Sequence, residues 1–181
     1  MRFFSLLILL AFLASLLPAQ VKPIHFKVLQ ESLPTKTFKG FERKKPTGRS
    51  QTAMGMSTSE AAVEYQQIIK EGEEPVSQIT VTIKIQDMIA MPYAMMAFTT
   101  MQDYENETED GYEKSVLVLE KYRGMENART GEYKSLTLNF GVAGRFLVDV
   151  QLEHSDDAKF LGEIIAALDL AKLEKAAAGA K

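Results

Sequence analysis

Four methionines fall within nine residues, Met88, Met91, Met95 and Met96. Thioethers are soft ligands, and a cluster of them outside the cytoplasm is one way to hold an ion such as Cu(I). Neither His25 nor His154 lies near them in sequence, and at 3.6 residues per turn the four sulfurs would point around the whole helix. Two other readings stand beside the soft-metal one. The methionines are flexible gap fillers in a core, or Tyr93, Met95, Met96 and Phe98 form an exposed apolar face for a protein or lipid partner.

A second candidate is acidic. Asp103, Glu105 and Glu107, followed by Glu109, Asp110 and Glu113, alternate like the ligands of a calcium loop. The match fails where it is most demanding: Thr108 stands where an EF-hand needs glycine, and Lys114 where it needs the bidentate glutamate. The stretch reads as a solvated acidic loop, with a weak calcium site as the alternative. Asn106-Glu107-Thr108 is formally a glycosylation sequon.

Catalytic patterns are sparse. His154 precedes Ser155, Asp156 and Asp157, but these are favoured helix starters and are explained as the cap of the last helix. The chain contains no G-x-S-x-G, no H-E-x-x-H and no phosphate-binding glycine loop. No catalytic residue and no cofactor is assigned; an enzyme of unrecognised type is the remotest of the readings.

The elements that would carry these residues belong to a chain of 181 residues, 46% apolar and 25% charged, with net charge −3 and no cysteine. One domain with its own core is expected. Residues 1–19 differ from the rest: Arg2 is followed by the uncharged apolar run Phe3–Leu17, with Ala19 just before polar Gln20. This is signal-peptide grammar and predicts export to the periplasm or medium. The run is shorter than the roughly 20 residues that span a bilayer, so no stable membrane insertion is expected after cleavage. Without cysteine, stability must come from the core alone. Mild acidity argues against nucleic acid, and the one basic patch, Lys39–Arg49, reads as a solvated loop.

Phe26, Leu29 and Leu33 recur at helical spacing before Pro34, predicting a helix over 24–32. Strands are expected around Phe38–Phe41 and over 52–57, 76–86, Tyr112–Leu119, Lys134–Phe140 and Arg145–Leu152. Residues 59–69 fit a helix or a strand, and a hairpin with 76–86 is favoured because it gives that long strand a neighbour. The segment YRGMENARTGE reads as a strand end and turn, or as a further short strand. Pro92 fits the first position of a helix running to about Gln102; with no polar face, this helix is expected to be enclosed as a plug or docked on a partner. Leu161, Ile164, Ile165 and Leu168 form the stripe of a terminal helix, and 176–181 is expected to fray. The expectation is an α+β domain over 20–175: an antiparallel sheet of six or seven strands with N-terminal, central and C-terminal helices packed on it.

Phe41–Ala61, with Pro46-Thr47-Gly48 and Met54-Gly55-Met56-Ser57-Thr58-Ser59-Glu60-Ala61, together with Ala90-Met91-Pro92-Tyr93-Ala94-Met95-Met96-Ala97, resembles a group of small exported bacterial proteins without assigned activity. The order of elements is also similar to the PsbP-like α/β/α sandwich of extrinsic and periplasmic accessory proteins. The resemblance implies a non-enzymatic accessory or binding role, toward an unidentified protein or small ligand, and carries over no functional residue.

Overall fold

The structure is a computed structural model that describes residues 22–53, 56–69 and 78–179. The expected leader and the connection between 59–69 and 76–86 of the expected hairpin, residues 70–77, lie outside the described residues. In chain order the elements are α1 (Phe26–Gln30), β1 (Phe41–Arg43), β2 (Thr47–Ala53), β3 (Met56–Gln67), β4 (Thr80–Asp87), α2 (Pro92–Thr100), β5 (Glu105–Thr108), β6 (Gly111–Val118), β7 (Tyr122–Arg129), β8 (Ser135–Val142), β9 (Phe146–Glu153), α3 (Ala158–Ile165) and α4 (Leu170–Gly179).

The nine strands form one antiparallel sheet in the order β1-β3-β4-β9-β8-β7-β6-β5, with β2 also on β3. Short β1 and longer β2 share the outer edge of β3: Arg43 pairs with Tyr65 and Thr47 with Ala62. The break between them contains Pro46, which has no amide hydrogen to give a ladder. Residues 59–67 are strand, and β3 pairs with β4 from Ser59–Asp87 to Gln66–Thr80 as the favoured hairpin required.

Register and burial define the two faces. Val63, Ile83, Val150 and Leu138 lie in one cross-strand row, and Tyr65, Val81, Leu152 and Leu136 in the next. All eight are buried, because side chains alternate with period two and this face receives the helices. Leu29 of α1, Leu161 and Ile164 of α3 and Leu173 of α4 close the core over them. The opposite face carries Lys84, Asp149 and Asn139 in one row and Thr82, Gln151 and Thr137 in another. Asp157 caps α3 by accepting the Lys159 and Phe160 amides at 3.0 Å, and Asp169 accepts Lys172 N at 3.0 Å in the first turn of α4.

Three expectations are corrected. Among the described residues the sheet has nine strands, not about six or seven. β7 is a full-length strand over most of the segment for which a strand end and turn, or at most a short strand, is expected. Its inward row breaks the apolar alternation with Gly124 and Glu126, and Gly124 is needed because a Cβ there would lie 2.7 Å from the Asn139 carbonyl. The acidic loop is in part strand: Glu105–Thr108 is an exposed edge strand paired with β6, and edges of this kind show no hydrophobic pattern. Finally, the second strand starts at Thr47, earlier than residue 52, so that Gly48 and Arg49 are already in the ladder.

Candidate functional site

The central segment is built from Asp87 outward. At the end of β4, Asp87 Oδ1 accepts the Ile89 amide at 3.0 Å and Met91 N donates to Met88 O at 2.8 Å, turning the chain off the sheet. Pro92 then opens α2 at the first helical position, where its missing N–H costs nothing. At the other end Arg123 Nη1 donates to Met101 O at 2.9 Å and ties the helix to β7. No side chain caps the N-terminus.

α2 crosses β7 and β8 on the polar face of the sheet. Its seat is Gly141: a Cβ there would be 3.0 Å from both Met95 Cε and Phe98 Cβ. Met95 is buried on this seat and Phe98 is half-buried. The helix does not plug the core. Tyr93 is 84% exposed and Met96 52% exposed, Met91, Ala94 and Ala97 are also exposed, and no residue of α2 belongs to the hydrophobic core cluster among the described residues. The physical reason is that α1, α3 and α4 already fill the apolar face. α2 is left with a face of threonines, glutamines and charges, where one glycine admits two side chains.

Leu117 continues the apolar surface. It pairs with Arg123, the residue that holds the end of α2, and is 57% exposed. Toward the sheet centre the surface turns polar with Lys84 and Asp149, whose carboxyl is raised by burial against the opposing pull of Lys84. An uncharged helix thus stands beside a polar sheet face, with Tyr93 at its outermost point.

The other sequence candidates are dispersed. Met88 and Met95 are buried while Met91 and Met96 are exposed, so burial divides the four sulfurs into two pairs. Asp103, Glu105 and Glu107 are all exposed, with Asp103 3.8 Å from Arg123. No group of three histidine, aspartate or glutamate side chains among the described residues is placed to hold a metal. His25 caps α1 through Nδ1, 3.3 Å from the Lys27 amide. Beyond His154, which follows β9 at φ 59°, Ser155 Oγ accepts Asp157 N at 3.3 Å; Asp156 pairs with Lys134 at 3.1 Å. In the basic patch Arg43 donates to Pro34 O and the Tyr65 hydroxyl, while Arg49 and Lys44 meet Glu60 and Glu42.

Sequence reasoning missed the role of Leu117, which read only as part of a strand, and the seat at Gly141. An alternation that places a lone glycine on the polar face of a strand was the available signal for the latter. No family model, curated protein or solved structure matches the chain.

Proposed function

We propose that this chain is an exported, non-enzymatic accessory protein that docks a protein partner on α2 and the adjoining sheet surface. The observation that carries this is the 84% exposure of Tyr93 on a helix without a single charged residue. Apolar surface left in water beside a full core is a cost to the isolated domain and a gain on association. Methionines suit such a surface because they repack against different partners, and an exposed tyrosine supplies large contact area with few rotamers to lose. α2 contains no lysine or arginine, which favours a protein over an anionic lipid surface. Export is supported by the Phe3–Leu17 run after Arg2. Helices on both faces of an antiparallel sheet support the accessory role that the PsbP-like resemblance implies.

A photo-crosslinking amino acid placed at Tyr93, in the full chain expressed in an exporting cell, tests the reading. A discrete protein adduct is expected that is lost on Met96→Asp, with none from the same probe at Tyr133, which is 73% exposed away from α2. The same adducts from both positions, or adducts to phospholipid alone, would overturn it.

A further inference from the structure

On the core face, the helical layer stops short of β6 and leaves an open groove of about 260 Å³ between β6, the β6–β7 turn and α3. This is near the lower end of the roughly 300–1,000 Å³ of small-molecule sites. Val116, Val118, Leu138, Leu161 and Ile165 line it, with Leu119 at its lip, and the one charged lining residue is Glu126.

Glu126 is held but not saturated. Its Oε1 accepts the Tyr112 hydroxyl at 2.7 Å and stands 3.2 Å from Lys114 Nζ. Among the described residues no partner reaches its Oε2, which is open to water while the side chain as a whole is 15% exposed. A glutamate in the inward row between Leu138 and Lys114 pays desolvation that an apolar residue there would avoid.

Two features border the open groove. Gly162 sits in the middle of α3, where glycine is about 1 kcal/mol worse than alanine, yet a Cβ at this position would meet nothing within 4 Å. No close packing therefore asks for glycine; what its lack of a side chain preserves is empty space along the groove wall. At the lip, Leu119 and Glu120 adopt φ of 50° and 58°, a left-handed conformation that is costly for a leucine and leaves the Leu119 side chain 56% exposed beside the groove.

We propose that this groove is a binding site for a small amphiphile with a cationic, N–H-bearing head. The apolar body lies across Gly162 against Val118, Leu161 and Ile165, and the head donates to Glu126 Oε2. The head is selected by hydrogen bonding: Lys114 offsets the Glu126 charge from the Oε1 side, and Oε2 offers a further charge-assisted bond that an ammonium can make and an anion cannot. The groove is on the core face of the sheet, opposite α2, and shares only Leu117 with the docking surface.

The test titrates the full-length mature chain with octylammonium and, separately, octanoate, both below micellar concentrations, following backbone amide NMR shifts. Octylammonium should give saturable shifts at 116–119 and 158–165, with octanoate at least tenfold weaker. Gly162→Leu, which adds a side chain on the groove wall where a Cβ meets nothing within 4 Å, should abolish the shifts with the protein still folded. Gly162→Ala, a fold control, should raise the Tm. Glu126→Gln should erase the preference for the amine. Saturation elsewhere, equal or tighter octanoate binding, or unchanged binding in a folded Gly162→Leu protein would each overturn the assignment.

Discussion

Arg145 grips Asp87 with two nitrogens, Nη2 at 2.7 Å from Oδ2 and Nε at 3.0 Å from Oδ1, in a site where the two side chains are 7% and 0% exposed. The pair also holds backbone. Asp87 Oδ2 accepts Ile24 N at 2.7 Å, its Oδ1 accepts Ile89 N at 3.0 Å, and Arg145 Nη2 donates to Lys22 O at 3.3 Å. The chain entering the domain, the end of β4 and the β8–β9 turn are thereby fastened at one point. From that point the segment leading to α2 departs.

Removing either partner leaves the other charge buried and uncompensated. Asp87→Asn or Arg145→Met should cost about 3–5 kcal/mol in urea denaturation. The double variant Asp87→Leu/Arg145→Met should recover only part of this loss: it removes the uncompensated charge but leaves the Ile24 and Ile89 amides without their acceptor. A single variant as stable as the parent would show the pair to be idle.

Gly141→Val tests the seat of α2. Its Cβ would fall 3.0 Å from Met95 Cε and Phe98 Cβ, and overpacking of this kind costs about 1–3 kcal/mol. Limited proteolysis should cut within 92–100 while the circular dichroism of the sheet is retained. Equal protease resistance in parent and variant would mean that α2 is held by other contacts.

Alkaline pH should weaken the fold through its tyrosines. Burial first, then the hydrogen bond to Glu126 and its charge, push the Tyr112 hydroxyl up to about 12 from the ordinary 10.0. A folded value above the unfolded one means a contribution that is complete below pH 10 and lost as pH climbs through about 12. Tyr65 and Tyr122 are raised as well, chiefly by burial. Tyr112→Phe should therefore flatten, without abolishing, the fall in Tm across that window. An unchanged slope would sink this assignment.

Asp149 acts in the same sense above the ordinary carboxyl value. Burial raises its carboxyl above 3.8, with Lys84 opposing, so the stability tied to the protonated form is present below the ordinary value and lost as pH rises through the folded one. The ionised group is then a net cost at pH 7. Asp149→Asn should raise the Tm there, with the advantage shrinking in acid below the ordinary carboxyl value. A lower Tm at pH 7 would show that the attraction to Lys84 outweighs burial.

Some of these positions were legible in the sequence. Ile83 and Ile85 in β4 and Val148 and Val150 in β9 announce their buried face through alternation, and Pro92 marks the first residue of α2. Gly124 and Glu126 hid β7, because their inward positions answer to the Asn139 carbonyl and to Tyr112 and Lys114 on neighbouring strands. Nothing within a few residues of Asp87 hints at Arg145, 58 positions away.

The chain alone determined what local periodicity can encode: the α+β class, the strands and helices with a strong pattern, and the start of α2. It could not place α2, because a helix apolar on every side carries no stripe to say which side is buried. That was decided only when three helices and the apolar sheet face satisfied each other and left α2 the polar face, with Gly141 as its seat and Tyr93 in water. The groove beside Gly162 arose in the same way. It is the space left where α3 ends its cover of the sheet, and space between elements is a property of packing, which no single segment contains.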